Sequence, residues 1–145
     1  MGAGDALFDE AAILADARAR AGLEDFGDEA FREPLRVLLQ SLAVEASLTP
    51  AGRAAQRERI LGLLVGRLRT EAWTRRRPEI LDERVDVRFV VVGFPRTGTT
   101  MLHRLLASDP RATSLAWWEC RNPAPFEGWS PEEARRVRDP RIADA

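Results

Sequence analysis

The apolar residues in the first half of the chain recur with the spacing of amphipathic helices. Residues 6–23 carry one apolar stripe and residues 27–46 carry a second, with Asp28 in the position of a helix cap. Pro34 must lie in the first turn of the second helix, because a proline further along would remove a backbone hydrogen bond. The expected buried stripes are Leu7, Ala11 and Leu14 in the first helix, and Phe31, Leu35, Leu38 and Leu42 in the second.

A third helix is predicted to begin at Thr49-Pro50, which combines a side-chain cap with a proline at the first helical position. Its stripe is aliphatic, with Ile60, Leu64 and Leu68 in line and Leu61 and Val65 beside them. Acidic residues dominate before Thr49, and arginines dominate from residue 53 to residue 77. This polarity allows a basic patch for an anionic ligand. We favour a simpler interpretation, a solvated helix face that pairs with the acidic helices.

The spacing changes after residue 78. In the stretch RVDVRFVVVG, apolar and charged residues alternate and then three valines follow one another. Such a β-branched run bounded by glycine predicts a strand that enters a buried parallel sheet, and TSLAWWE predicts a second strand or an extended segment. A helix is predicted for TTMLHRLLASDP, and another for SPEEARRVRD, where Ser130 and Glu133 form a capping box. The expected fold class is therefore α/β.

Composition narrows the function classes. The 145 residues are 45% hydrophobic, which is enough for one domain with a packed core. A net charge of −1 argues against a nucleic-acid binder or a membrane-surface binder, and the longest apolar run is too short to span a bilayer. The single cysteine, Cys120, has no partner for an internal disulfide, which fits a reducing, cytoplasmic setting.

The stretch GFPRTGTT, residues 93–100, has the residues of an anion-binding loop. Gly93 and Gly98 permit tight backbone turns, and the amides from Thr97 onwards would point inward at a helix N-terminus. Arg96 adds a fixed positive charge with several donors. Nucleotide triphosphatase loops have a lysine where Thr99 stands, and this chain contains no lysine. The alternative is a glycine turn that binds no ligand.

The sequence GFPRTGTTMLHRLLASDP resembles the 5′-phosphosulfate loop of sulfotransferases that use 3′-phosphoadenosine 5′-phosphosulfate (PAPS). It is most similar to the bacterial branch, which is related to the tyrosylprotein sulfotransferases, and the strong similarity covers residues 89–119. The resemblance implies a P-loop-like parallel-sheet fold, with residues 1–82 as a helical N-terminal extension and residues 83–145 as the start of the PAPS-binding domain. It also implies sulfuryl transfer from PAPS to an acceptor hydroxyl or amine, without a metal.

The resemblance also implies roles for the loop residues. The residues expected to bind PAPS are Pro95, Arg96, Thr97, Gly98, Thr99 and Thr100. Within this set, the backbone from Arg96 to Thr100 and the hydroxyls of Thr99 and Thr100 would bind the 5′-phosphate. Arg96 would also contact the bridging or sulfuryl oxygens and stabilise the charge that develops as the bond breaks. A loose transition state of this kind is stabilised mostly by positioning and by electrostatics.

Sulfuryl transfer also benefits from a group that accepts the proton of the acceptor. His103 lies one turn beyond Thr99, but a histidine there is more often a surface or packing residue. WWECR stands where tyrosylprotein sulfotransferases have E-x-R, if a small insertion before Trp117 is allowed. That similarity implies Glu119 as the catalytic base and Arg121 near the acceptor or the glutamate. The alternative is that Glu119 pairs with Arg121 only for packing.

Two further matches are interpreted as coincidence. RNP at 121–123 and RDP at 138–140 resemble the segment whose arginine binds the 3′-phosphate of PAPS, but neither follows a strand at the usual separation from the loop. We therefore expect the 3′-phosphate site beyond residue 145. We also expect the chain to be an N-terminal fragment that is inactive by itself. One histidine and one cysteine give no metal-ligand spacing.

Two other functions remain open from the sequence. One is a P-loop kinase or triphosphatase, against which the absence of lysine speaks. The other is a non-catalytic helical interaction module. The acceptor cannot be inferred, because acceptor pockets are built largely from other loops.

Overall fold

A computed structural model describes residues 6–126, 128–129 and 138–144 of the chain. In these ranges the chain forms short 3-10 turns at Ala6–Phe8, Glu29–Phe31 and Pro78–Asp82. The α-helices are α1 (Glu10–Ala21), α2 (Arg32–Val44), α3 (Pro50–Arg76), α4 (Thr99–Leu106), α5 (Trp117–Arg121) and α6 (Arg141–Asp144). None of these helices is long and apolar enough to cross a membrane.

Local capping signals place the starts of the long helices. The Thr49 hydroxyl accepts a hydrogen bond from the Gly52 amide at 3.1 Å, and Pro50 is the first residue of α3, so the predicted start of this helix is confirmed. Asp28 caps the 3-10 turn before α2 instead of α2 itself. Because α2 begins at Arg32, Pro34 lies in its first turn, as predicted.

The core lies where α1 and α2 pack against α3. Its buried side chains are Phe8, Ile13, Leu14, Ala17, Phe26, Leu35, Leu39, Ile60, Leu61, Leu64 and Leu68. The predicted stripe of α3 is therefore buried. The predicted stripes of α1 and α2 are partly wrong, because Leu7 precedes α1 and Leu38 is exposed while Leu39 is buried. In a helix rich in alanine and leucine more than one face is apolar, so the neighbouring helix decides which face is buried.

Charges on α3 pair with opposite charges on the first half of the chain. Arg57 forms an ion pair with Asp16, and Glu58 accepts two hydrogen bonds from Arg20, at 2.6 and 2.8 Å. Near the end of α3, Arg75 forms an ion pair with Asp25. This arrangement agrees with paired helix faces and not with a basic patch for an anionic ligand.

The expected α/β fold with a parallel sheet is wrong for this structure, since the described residues form helices, turns and irregular chain but no strand. Residues 83–93 form neither a helix nor a strand, and nearly all of their side chains are exposed. The pattern of β-branched residues reports a preference for extended backbone, but a strand also requires hydrogen bonds to a neighbouring strand. The described residues supply no such neighbour. The capping box predicted at Ser130 and Glu133 lies outside the described residues.

The prediction of a second strand or an extended segment for TSLAWWE is wrong from Trp117 onwards, because Trp117 and the residues after it form α5, whereas Ala116 just before the helix has an extended backbone. The chain after α5 packs against α3. The indole Nε1 of Trp73 donates a hydrogen bond to the carbonyl of Pro125 at 3.0 Å, and the guanidinium of Arg69 lies 4.9 Å from the centre of the Phe126 ring. Residues on both sides of position 82, where we expected a domain boundary, are therefore in contact through α3.

Candidate functional site

The loop GFPRTGTT, residues 93–100, forms a tight turn that leads into α4. The hydroxyl of Thr97 donates a hydrogen bond to the carbonyl of Phe94 at 2.6 Å, which closes the turn. A Cβ atom at Gly93 would lie 2.7 Å from Cγ2 of Thr99 and 3.0 Å from Oγ1 of Thr97. A residue larger than glycine at position 93 would therefore require the side chains of Thr99 and Thr97 to shift.

Two loop residues have left-handed backbone conformations. Gly98 has a φ of +87°, which suits glycine, but Arg96 has a φ of +67°. An L-residue other than glycine in this region costs about 1–2 kcal/mol. The loop thus keeps an arginine where glycine would be less strained, and such strain is typical of functional sites.

The N-terminus of α4 is open to a ligand. Gly98 occupies the cap position without a side-chain cap, and its carbonyl accepts a hydrogen bond from the Leu102 amide at 3.1 Å. The amides of Thr99, Thr100 and Met101 have no acceptor in the part of the chain that the structure describes. Free amides at the positive end of a helix favour an anion.

Arg96 precedes the first of these amides by three residues in the sequence. It is exposed, and within residues 6–126, 128–129 and 138–144 it has no hydrogen bond or ion pair. Thr99 is half-buried, and Pro95, Thr97, Gly98 and Thr100 are exposed. Charged donors and amides in one short loop can hold a tetrahedral anion that offers several oxygens. The donor set therefore fits a phosphate or a phosphosulfate group.

Glu119 lies on α5, where its carboxylate caps its own helix. Oε2 accepts a hydrogen bond from the Ala116 amide at 2.6 Å, and the side chain is half-buried. The alternative pairing with Arg121 is not seen among the described ion pairs. The guanidinium of Arg121 lies instead against Gly62 of α3, where a Cβ atom would be 3.1 Å from Nη2. Glu119 keeps Oε1 unbonded within the described residues, so this atom can accept a proton.

The structure does not bring all the predicted residues together. No hydrogen bond or ion pair in the described residues joins the loop to Glu119, and His103 is exposed on α4. Of the two tryptophans that precede Glu119 in the sequence, Trp117 is 70% exposed and Trp118 packs under the guanidinium of Arg141. Within the described residues, no group of histidine, cysteine, aspartate or glutamate side chains is arranged to hold a metal ion.

Sequence reasoning missed one structured cluster, which surrounds Arg141. The side chain of Arg141 donates to the Asp139 carboxylate and to the carbonyl of Asn122, and it covers the rings of Trp118 and Trp129. Hydrogen bonds from Arg141 hold the pKa of the Asp139 carboxyl below its usual value. The signal in the sequence was the repeated tripeptide Asp-Pro-Arg, at 109–111 and again at 139–141.

Comparisons with known proteins indicate the same family as the sequence of the loop. Residues 88–145 match a family model described as the sulfotransferase family. A solved structure of the sulfotransferase STF1 from Mycobacterium tuberculosis H37Rv is 35% identical, with a TM-score of 0.80 over 94% of this chain and 37% of that one. The sulfotransferase STF9 from Mycobacterium avium is 31% identical, with a TM-score of 0.79 over 99% of this chain and 36% of that one. The chain thus spans little more than a third of either relative. A search of curated proteins found no match.

Proposed function

Because the chain belongs to the sulfotransferase family, we propose that the protein transfers a sulfuryl group from PAPS to an acceptor hydroxyl or amine. The observation that carries the proposal is the loop itself. An unpaired arginine with a left-handed backbone stands three residues before the first of three consecutive amides that have no acceptor within the described residues. The loop has the donors for a phosphosulfate group and lacks the lysine of a triphosphate loop.

The proposed division of labour follows from the positions of these donors. The amides of Thr99, Thr100 and Met101 bind the 5′-phosphate, and the hydroxyls of Thr99 and Thr100 add further hydrogen bonds. Gly93 allows the close turn, and the Thr97 hydroxyl holds it through Phe94. Arg96 extends beyond the phosphate to the sulfuryl oxygens. Its charge stabilises the bridging oxygen as the bond to sulfur breaks.

We assign to Glu119 the role of the base that accepts the proton of the acceptor. In the proposed reaction, the acceptor oxygen or nitrogen forms a bond to sulfur while the bond from sulfur to the bridging oxygen breaks, which releases 3′-phosphoadenosine 5′-phosphate. Oε1 of Glu119 takes the proton that the acceptor loses, and Oε2 remains bonded to the Ala116 amide. His103 is the competing candidate. The variants Glu119→Gln and His103→Gln distinguish them, because only loss of the true base should lower kcat strongly.

We also place the protein in the cytoplasm. The support is Cys120, an exposed free thiol with no disulfide. Such a thiol persists most easily in a reducing compartment. Fractionation of cells that express the full-length protein would check this, and recovery from an oxidising compartment would contradict it.

Calorimetry tests whether the protein binds the nucleotide of PAPS. The full-length protein should bind 3′-phosphoadenosine 5′-phosphate more tightly than ADP, with or without magnesium, and Arg96→Ala should weaken the binding of a donor analogue that carries the sulfuryl group. Preference for ADP, or ATP turnover that needs magnesium, would support a kinase or triphosphatase instead. Binding of neither nucleotide, with no transfer, would indicate a non-catalytic helical module.

A further inference from the structure

The tripeptide Asp-Pro-Arg occurs twice with nearly the same local geometry. In each copy the arginine amide donates to Oδ1 of the aspartate at 2.9 Å, Nε donates to Oδ1 at 3.1 Å, and Nη2 donates to Oδ2 at 2.7 Å. The surroundings differ. The side chains of Arg111 and Asp109 are 88% and 39% exposed, whereas those of Arg141 and Asp139 are 12% and 10% exposed. The same local motif is therefore a surface turn in one place and part of a packed cluster in the other.

The half-buried copy, residues 139–141, contacts α5, and the exposed copy, residues 109–111, has no such contact among the described residues. The guanidinium of Arg141 lies 4.7 Å from the ring centre of Trp118, which belongs to α5, and 5.6 Å from that of Trp129. Its Nη1 donates to the carbonyl of Asn122 at 3.0 Å and to that of Pro123 at 3.3 Å. Asn122 is the C-cap of α5, so Arg141 satisfies a carbonyl at the open end of this helix.

A helix of five residues is too short to be stable by itself, so contacts at its ends must hold it. At the N-terminal end the contact is made by Glu119, which caps the helix through the Ala116 amide. At the C-terminal end it is made by Arg141. Without Arg141, α5 would lose the donor to its C-terminal carbonyl and the cation that packs on Trp118.

We propose that Arg141 is a positioning residue for Glu119, which it orients by clamping the C-terminal end of α5. The inference rests on the proposed role of Glu119 as the base. Asp139 orients the guanidinium of Arg141 through two oxygens, and the planar arginine can stack on Trp118 while it donates to the backbone. Arg141 does not itself touch the reacting groups.

The matched pair of arginines supplies the experiment. In the full-length protein, Arg141→Met should lower kcat about 10- to 100-fold with little change in the KM for PAPS, because misplacement of a catalytic group weakens only the transition state. Arg111→Met removes the same local hydrogen bonds from the exposed copy and should leave kcat unchanged. Equal kcat values for the two variants would overturn the proposal.

A double-mutant cycle separates positioning from general damage. If Arg141 acts through Glu119, Arg141→Met should have little effect on kcat in a Glu119→Gln background. A decrease of the same size in both backgrounds would overturn the positioning role. Full activity of Glu119→Gln alone would instead show that the proposed base is wrong, which is a separate failure.

A milder variant covers the case in which Arg141→Met does not fold. Asp139→Asn leaves the arginine in place and weakens the contact that orients it, and Asp109→Asn is the matched control on the exposed copy. We expect Asp139→Asn to lower kcat by a smaller factor, with the same dependence on Glu119. No difference in kcat between these two asparagine variants would also contradict the proposal.

Discussion

The helical body, residues 6–76, and the loop segment, residues 83–115, differ in what holds them in place. In the helical body the apolar side chains of α1, α2 and α3 are buried together, and charged residues at the surface pair across helices. In the loop segment, valines, leucines and phenylalanines are almost all exposed. Its local structure comes from glycine turns and short hydrogen bonds, and the strained backbone of Arg96 works against them.

This difference separates the residues that stabilise the fold from the residues that we propose bind the ligand. The helical body uses its polar groups internally, so that few are left for a ligand. The loop segment leaves a guanidinium and three amides without described partners. Unpaired donors of this kind reduce stability and are available to bind an anion.

The largest difference in stability is expected when the same substitution, Leu→Ala, is made in the helical body and in the loop segment. Leu61 is 0% exposed and Leu105 is 67% exposed. Leu61→Ala should lower the free energy of unfolding by about 2–5 kcal/mol, because it leaves a cavity in the core. Leu105→Ala should change it by less than about 0.5 kcal/mol. Denaturation in urea measures both values, and equal losses would show that the loop segment is packed as firmly as the body.

The largest effect on activity is expected in the loop segment. Arg96→Ala should reduce sulfuryl transfer by the full-length protein about 10²- to 10³-fold, since it removes a charge that stabilises the transition state. Its effect on the free energy of unfolding should be small. Arg104→Ala, an exposed arginine on α4, is the control for net charge and should keep its activity. If both variants lose activity equally, the effect is one of general charge and not of the loop.

A smaller effect is expected from the helix caps of the two regions. Thr49 caps α3 with its side chain, whereas Gly98 leaves the start of α4 uncapped. Thr49→Ala should therefore cost about 1 kcal/mol of the free energy of unfolding. Thr113→Ala in the loop segment is the matched control, because Thr113 is exposed and caps no helix. A loss as large at Thr113 would contradict the assignment of the cap.

The smallest effect concerns pH. Hydrogen bonds from Arg141 hold the pKa of the Asp139 carboxyl below its ordinary value of 3.8. A lowered pKa stabilises the folded state fully above pH 3.8, and this contribution is lost as the pH falls through the folded-state pKa. The free-energy difference between the wild-type protein and Asp139→Asn should therefore be largest above pH 3.8 and shrink below it. The corresponding difference for Asp109→Asn should be smaller, since that carboxylate is more exposed. A difference that grows as the pH falls would contradict this sign.

The sequence predicted the features that depend on neighbours in the chain. Thr49 and Pro50 marked the start of α3, and the stripe of Ile60, Leu64 and Leu68 marked its buried face. The sequence was a poorer guide where the same residues were compatible with more than one buried helix face, or with both a paired strand and unpaired chain. Leu38 and Leu39 are equally apolar, and only the packing of α2 selects Leu39. The strand at residues 83–93 failed for the same reason, because pairing depends on a partner that composition does not specify.

The sequence by itself determined the residues of the loop at 93–100 and the similarity of the chain to sulfotransferases. The loop depends on the spacing of Gly93, Arg96 and Gly98, which are close together in the sequence, so a local backbone turn is enough to form it. Only the tertiary structure decided that Glu119 caps α5 and that Arg141, and not Arg111, holds that helix. Two identical tripeptides acquire different roles because burial and contact with Trp118 depend on how distant parts of the chain pack together.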